Sequence, residues 1–111
     1  MTVNELLNKT NLKPLCVADG EREIKGIYNC DLMSVVMSKG FSGACWVTIM
    51  SNINSVAVAT LTDMAVIILA DGAVLDQLMI DKAKAQDINV LQSDKPIFET
   101  SLEIYKLLNN A

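Results

Sequence analysis

The stretch that decides the fold is "INSVAVATLTDMAVIILADG", residues 53–72, which carries almost no polar or charged side chain before its closing Asp71-Gly72. A transmembrane helix needs about 20 apolar residues, whereas the apolar run 56–70 is 15 residues long and contains Asp63 near its middle. A carboxylate at that position costs roughly 2.5 to 3.5 kcal/mol on membrane insertion. The run sustains no heptad repeat, which also excludes a coiled coil. We therefore divide it at Asp63 into a short helix, "SVAVATL", and a central strand, "MAVIILA", covered on both faces.

The N-terminal third predicts a helix followed by a hairpin. Residues 2–5, "TVNE", have the form of a capping box and begin the helix. Asp19-Gly20 separates two apolar runs and is typical of a tight turn, so we expect 15–18 and 24–28 to be neighbouring antiparallel strands. Pro14 indicates the start of a strand or a sheet edge.

Strands and helices alternate over the rest of the chain. Asp31 is the expected N-cap of a helix that Gly40 closes, and "ACWVTIM" and "INVL" read as strands. Asp94 is expected to cap the last helix, with Pro96 in its first turn. Two apolar faces are predicted to be buried: Leu75, Leu78, Met79 and Ala83 on the fourth helix, and Phe98, Leu102, Tyr105 and Leu108 on the last.

This order predicts one domain, residues 1–111, of the α/β class: a three-layer sandwich with a mixed, mostly parallel sheet and helices on both sides. A length of 111 residues is enough for one hydrophobic core. No linker or low-complexity segment suggests a second domain.

Composition narrows the functional classes. The net charge is −4 and Lys and Arg do not cluster, which argues against a nucleic-acid partner. The first ten residues lack the basic and apolar regions of a secretory signal, so we expect a cytoplasmic protein that does not enter membranes. The three cysteines, Cys16, Cys30 and Cys45, form no C-x-x-C pair and the chain has no His, so we predict neither a metal site nor a cofactor. We interpret the cysteines as reduced, small apolar side chains and leave a redox role open.

The candidate ligand site follows from the predicted topology. Ligands of open α/β sheets bind beyond the carboxyl ends of the strands. Polar side chains at a helix N-terminus there suit a phosphate or carboxylate. The alternative is ordinary helix capping and turn formation by the same side chains. The predicted ligand-binding residues are Asn29, Asp31, Ser51, Asn52, Asn54, Ser55, Asp71 and Gly72.

No catalytic residue is predicted. The sequence has neither a nucleophile beside a base nor a glycine-rich phosphate loop. The alternative from the enzyme class is a Mg²⁺-dependent phosphoryl transferase or hydrolase built on Asp31, Asp63 and Asp71, which requires at least two of these carboxylates to converge.

The helix predicted over 55–62 has scarcely any polar face, and such a helix must be covered on more than one side. The cover is either the rest of the domain or a second copy of the chain. On this basis we expect a homodimer, with burial inside the fold as the alternative.

Over nearly its full length the chain resembles the DRTGG domain family. The shared features are a glycine before Asp31-Leu32, an Asn-containing loop leading into "VAVATL", an apolar strand ending at Asp71-Gly72, a helix with "KA" and a late strand followed by "FET". The chain departs from the family at the residues that give it its name. Arg22 is the only Arg and lies outside the Ser51 to Asn54 loop, and Ala70-Asp71-Gly72 replaces Thr-Gly-Gly.

The resemblance implies a fold like the N-terminal domain of HPr kinase/phosphorylase and a non-catalytic, regulatory or dimer-forming role. The missing catalytic residues and the cap-rich loops at the strand ends favour sensing of a small anionic or nucleotide ligand, and the resemblance adds an accessory role beside a hydrogenase or a phosphotransfer system. The other interpretation is a protein-interaction accessory without a ligand.

Overall fold

The computed structural model describes residues 1–110. The elements follow in the order α1 (Val3–Lys9), β1 (Lys13–Cys16), β2 (Gly26–Asn29), α2 (Met33–Lys39), β3 (Ala44–Thr48), α3 (Ile53–Leu61), β4 (Val66–Leu69), α4 (Gln77–Gln86), β5 (Asn89–Gln92) and α5 (Ile97–Asn109). The five strands form one sheet in the order β1-β5-β4-β3-β2. β1 runs antiparallel to β5, and all the other pairs are parallel.

Helices cover both faces of this sheet. Side chains of α2, α3 and α4 pack with one set of strand residues, including Trp46, Ile67 and Val90. Side chains of α1 and α5 pack with the opposite set, including Val47, Ile68 and Leu91. The domain is therefore a three-layer α/β sandwich with a mostly parallel sheet, as predicted.

The predicted break at Asp63 is confirmed. α3 ends at Leu61, Asp63 takes a left-handed conformation with φ 56°, and the buried strand β4 begins at Val66. Asp tolerates this conformation better than β-branched residues do, so the chain can reverse there at low cost. β4 lies between β3 and β5, and all four of its residues are buried.

The prediction of a hairpin between β1 and β2 is wrong. The two strands lie at opposite edges of the sheet, and residues 17–25, which we call the crossing segment, run between them past the ends at which the parallel strands begin. Asp19 does form a turn, because its carbonyl oxygen accepts the N–H of Arg22 at 3.2 Å. The N–H and carbonyl of Asp19, however, also bond to the side chain of Asn89, at the start of β5. β1 pairs antiparallel with β5 and not with β2.

Two predicted helix caps are also wrong. Leu32, not Asp31, occupies the N-cap position of α2, and no side chain caps that helix. Pro96, not Asp94, is the N-cap residue of α5, one position before the predicted first turn. By contrast, the capping box of α1, the Asn52 cap of α3 and the end of α2 at Gly40 are as expected.

Both predicted apolar faces need correction. In α4 the buried residues are Met79, Ile80 and Ala83, whereas Leu75 precedes the helix and Leu78 is exposed. In α5 the buried residues are Thr100, Ser101 and Ile104. Three residues of the predicted inner stripe face outward instead, with Phe98 69%, Leu102 37% and Tyr105 59% exposed. The fourth, Leu108, is half-buried and packs against the core.

The apolar helix α3 is largely covered within the chain. Val56, Val58 and Ala59 are buried in the cluster that includes α2 and α4. Burial inside the fold therefore accounts for the apolar character that suggested an interface at this helix. Across residues 1–110, no helix combines the length and apolar character needed to cross a membrane.

Candidate functional site

All eight predicted ligand-binding residues lie at the edge of the sheet where the parallel strands end. Asn29 is the last residue of β2, and Asp31 follows it. Ser51 and Asn52 lie in the loop between β3 and α3, and Asn54 and Ser55 in the first turn of α3. Asp71 and Gly72 follow β4 directly. The sheet thus brings three loops to one edge, which we call the carboxyl edge, and the role of these residues in ligand binding stays a prediction.

Several of the polar side chains at this edge are already engaged within the protein. One carboxylate oxygen of Asp31 accepts hydrogen bonds from Thr48 Oγ1 at 2.6 Å and from the N–H of Ile49 at 3.1 Å. Asp31 therefore ties the β2–α2 loop to the end of β3. Asn29 Oδ1 accepts a hydrogen bond from Ser101 Oγ at 2.9 Å, so the side chain of Asn29 is turned toward α5.

Most polar side chains of the loop before α3 form contacts within the protein. Asn52 Oδ1 accepts the N–H of Asn54 at 2.8 Å and caps the helix. The buried hydroxyl of Ser55 donates to the carbonyl of Met50. Ser51 Oγ lies 3.9 Å from the sulfur of Met79, which places this loop against α4.

The loop after β4 is held against the loop after β5. Asp71 and Gly72 both have left-handed backbones, with φ 59° and 61°, and Gly72 meets no neighbour that a side chain would strike. Their N–H groups donate to the carbonyls of Lys95 at 2.8 Å and Ser93 at 3.1 Å. These two N–H groups are therefore already bonded, and the side chain of Asp71 is exposed.

Sequence reasoning missed a group of exposed apolar side chains in the same loops as the predicted site. They lie in the loops at the carboxyl edge and at the start of α3 and α4, and are Leu32, Ile49, Ile53, Val74, Leu75 and Leu78. Val74 is 86% exposed. The only sequence signal was their position beside cap and turn residues, where apolar side chains are not needed for capping. We call this group the apolar rim.

Charges at the same edge are mainly negative. The loops at this edge contain four carboxylates, Asp31, Asp71, Asp76 and Asp94, and one basic residue, Lys95, whose ammonium lies 3.6 Å from Glu103. An isolated phosphate would be repelled by these carboxylates. The arrangement favours a ligand that also presents an apolar or aromatic part to the rim.

The carboxylates proposed for metal-dependent catalysis do not converge. Asp63 precedes β4 and lies at the opposite end of the sheet from Asp31 and Asp71. Two hydrogen bonds hold it there, from Arg22 Nη1 at 3.0 Å and from Ser42 Oγ at 2.6 Å, and they lower the pKa of Asp63. Asp31 and Asp71 follow β2 and β4, which are separated by β3. No group of three metal-ligating side chains occurs in the part of the chain that the structure describes.

The only Arg of the chain is therefore engaged away from the predicted site. Besides the carboxylate, Arg22 donates to the backbone oxygen of Asp63 at 2.8 Å. A cavity of about 160 Å³ lies beside this pair, at the end where the parallel strands begin, and its lining includes Asp19, Asp87 and Asn89.

Two of the three cysteines are core side chains. Cys16 and Cys45 are buried, and burial raises the pKa of both thiols, that of Cys45 to about 12. Such thiols are protonated near neutral pH and react slowly. Cys30 is half-buried, next to the carboxyl edge.

No protein-family model matches the chain, and no curated protein matches it. Among solved structures, the chain is similar to the CBS and DRTGG domains of the regulatory region of Clostridium perfringens pyrophosphatase, crystallised with its activator diadenosine tetraphosphate. The TM-score is 0.70 at 12% sequence identity, covering 90% of this chain and 44% of that one. At this identity the likeness shows the fold alone, which is DRTGG-like.

Proposed function

We propose that the protein is a non-catalytic, homodimeric regulatory module that senses a small nucleotide-type ligand at the carboxyl edge. The observation that carries the proposal is the meeting of the α3 N-terminus, the turn at Asp71-Gly72 and the apolar rim at one edge of the sheet. A nucleotide combines an aromatic base with an anionic part. The rim offers apolar surface to the base, and the N-terminal end of α3 offers a partial positive charge to the anionic part.

The structural likeness supports a nucleotide over a simple anion. The similar regulatory region was crystallised with diadenosine tetraphosphate, a nucleotide activator. In the present chain the carboxylates of the edge also disfavour an isolated phosphate or acyl phosphate. The family resemblance extends the proposal to an accessory role beside a hydrogenase or a phosphotransfer system.

Thermal-shift screening tests the ligand. The panel contains adenosine, mononucleotides, dinucleoside polyphosphates, inorganic phosphate and acetyl phosphate. A ligand present at about 100 times its dissociation constant stabilises the fold by about 2.7 kcal/mol. The expected result is a shift with nucleotides and none with inorganic phosphate. Absence of a shift with every compound contradicts the proposed sensing role.

Matched variants locate the site. Val74→Glu places a charge on the apolar rim, and Leu61→Glu makes the same change at the other end of α3, where Leu61 is 72% exposed. Because both side chains are exposed, neither change should unfold the domain. Val74→Glu should abolish the nucleotide shift and Leu61→Glu should retain it. The opposite pattern would place the ligand elsewhere.

The apolar rim also favours a second candidate, a protein-interaction accessory without a small ligand. Exposed apolar patches often mark protein interfaces. In that case no compound of the panel shifts the melting temperature, and Val74→Glu weakens binding to the partner protein instead.

A further inference from the structure

An apolar stripe of α5 lies open beside an edge strand of the sheet. Phe98, Leu102 and Tyr105 are spaced by four and three residues, which places them on one helical face. Together with Ile27 and Asn29 of β2 and Ser101 of α5 they line a groove of about 290 Å³. A second groove, of about 420 Å³, shares Ile27 and Tyr105 with the first and follows β2 toward its start. We call Phe98, Leu102 and Tyr105 the α5 stripe.

The two edges of the sheet differ in how they are protected. Edge strands usually avoid pairing with other chains through Lys, Pro or a bulge. β1 has all three, namely Lys13, Pro14 and a register shift between Pro14 and Cys16. β2 has none of these, because Gly26–Asn29 pairs with β3 in continuous register and contains neither Lys nor Pro. Within residues 1–110 no strand pairs with the outer side of β2.

We propose that this surface binds a second copy of the chain. In the proposed dimer, β2 pairs antiparallel with β2 of the second copy, and the two α5 helices pack antiparallel across a two-fold axis near Leu102. The inference specifies the dimeric part of the proposed function. It does not depend on the ligand.

Strand pairing and helix packing are geometrically compatible in this arrangement. α5 lies over β2 and β3, and neighbouring strands are about 4.8 Å apart. Edge-to-edge pairing of two β2 strands therefore places the two α5 axes about 10 Å apart, at the upper end of the usual range for packed helices. The two α5 stripes then meet as the strands pair.

The charges on α5 favour packing against α5 of a second copy in antiparallel orientation. Glu99 and Lys106 are seven residues apart, so they lie on the same flank of the helix, and both are exposed. Neither forms an ion pair among the described residues. An antiparallel partner places Glu99 opposite Lys106 of the second copy, and symmetry repeats the pair. A parallel partner would instead oppose like charges.

Analytical ultracentrifugation over a concentration series tests the interface with the full chain. The wild type is expected to be a dimer at micromolar concentration. Leu102→Glu puts two carboxylates near the axis and should raise the dissociation constant by roughly a hundredfold. Leu61→Glu, on exposed surface of α3, should leave it unchanged. Circular dichroism of both variants confirms that the fold is retained.

Charge reversal tests the orientation. Glu99→Lys and Lys106→Glu should each weaken the dimer by about tenfold, because each opposes two pairs of like charges. An equimolar mixture of the two variants should form a heterodimer of wild-type affinity, since every cross-interface pair is then complementary. The double variant should also recover the homodimer.

Three results would overturn the inference: a monomeric wild type, a Leu102→Glu dimer as tight as the wild type, or single reversals that weaken the dimer but are not rescued by mixing. None of them measures nucleotide binding, which the thermal-shift screen tests separately, although Asn29 belongs both to the candidate ligand site and to this groove. A monomer that still binds a nucleotide would refute the dimer and leave the ligand site standing.

Discussion

Replacing Asn89 should destabilise the domain strongly, because this buried amide holds the crossing segment to the sheet. Asn89 is 2% exposed. Its Nδ2 donates to the carbonyl oxygens of Asp19 at 2.8 Å and Ala65 at 2.9 Å, and its Oδ1 accepts the N–H of Asp19 at 2.9 Å. Asn89→Ala loses three hydrogen bonds whose partners are only partly reachable by water, which costs about 2 to 3 kcal/mol. Asn89→Asp keeps the size but turns a carboxylate toward two carbonyl oxygens, which costs about 4 kcal/mol at neutral pH.

The pH dependence of the stability of Asn89→Asp shows whether the loss comes from the missing amide donor or from a change in side-chain shape. In Asn89→Asp, burial and the facing carbonyls raise the folded-state pKa of the new carboxyl above its unfolded value. The native state then binds more protons than the unfolded state, so the variant should regain stability as the pH falls through the raised pKa toward about 4. Urea denaturation followed by the fluorescence of the single Trp, at several pH values, measures this. Asn11→Asp, at an exposed position, is the control. A loss below about 1 kcal/mol at neutral pH, or no recovery in acid, would refute the role of the amide.

Substitutions at three other positions test contacts made by the loops or by side chains bonded to them. The hydrogen bond from Arg22 lowers the pKa of Asp63, so its stabilisation is present above pH of about 4 and is lost as the pH falls through the folded-state pKa. Asp63→Asn should remove that part of the acid sensitivity, under about 1 kcal/mol for so exposed a pair, and an unchanged acid titration of stability would contradict this. Trp46→Phe loses the hydrogen bond from Nε1 to the Cys30 carbonyl at 2.9 Å and leaves a cavity in the core. Thermal unfolding should show that the free energy of unfolding falls by about 2 to 3 kcal/mol. A smaller loss would mean that the core closes over the cavity. Asp31→Ala should lower the free energy of unfolding, measured by urea denaturation, by about 1 to 2 kcal/mol. Asp31→Asn should lower it less, since an amide oxygen can still accept the hydrogen bond from Thr48. Equal losses would show that the charge of the carboxylate matters.

The centre of the fold could be predicted from the sequence because its signals are local. The run before Asp71-Gly72 is rich in β-branched residues and too short to span a membrane. It therefore predicts a buried strand. Asp63 interrupts the apolar run at the point where a residue that tolerates positive φ is required. These constraints act within about ten residues, which is the range over which sequence patterns are informative.

The pairing of β1 could not be predicted, because it depends on contacts distant in the sequence. The turn at Asp19 is real, but a turn does not specify whether the strands on either side of it pair. That choice depends on Asn89, 70 residues later, whose side chain satisfies the backbone of Asp19. The local signal therefore predicts the turn correctly but predicts the wrong pairing partner for β1.

At the candidate site, the predicted topology gives the position of the polar loop residues but not the set of side chains exposed around them. Alternation of strands and helices was enough to place Asp31, Ser51 and Asp71 at one edge, because parallel strands end together. The apolar rim was missed, since exposure depends on which side chains the neighbouring elements cover. Leu75 and Leu78 are predicted as buried from the sequence and are exposed in the fold.

The misassigned face of α5 has a physical cause that also bears on assembly. Hydrophobicity alone favours Phe98, Leu102 and Tyr105 as the inner face, yet the helix buries Ile104 together with two polar residues, Thr100 and Ser101. Both hydroxyls are bonded, that of Thr100 to Ser93 and Lys95 and that of Ser101 to Asn29, so burying them leaves no unsatisfied group. A monomer gains nothing from the remaining apolar stripe, and it gains nothing from an edge strand without protection. Both features occur at the same edge of this sheet, while the opposite edge carries Lys, Pro and a register shift. Departures from local rules tend to mark functional surfaces, and here one self-complementary contact would account for both departures.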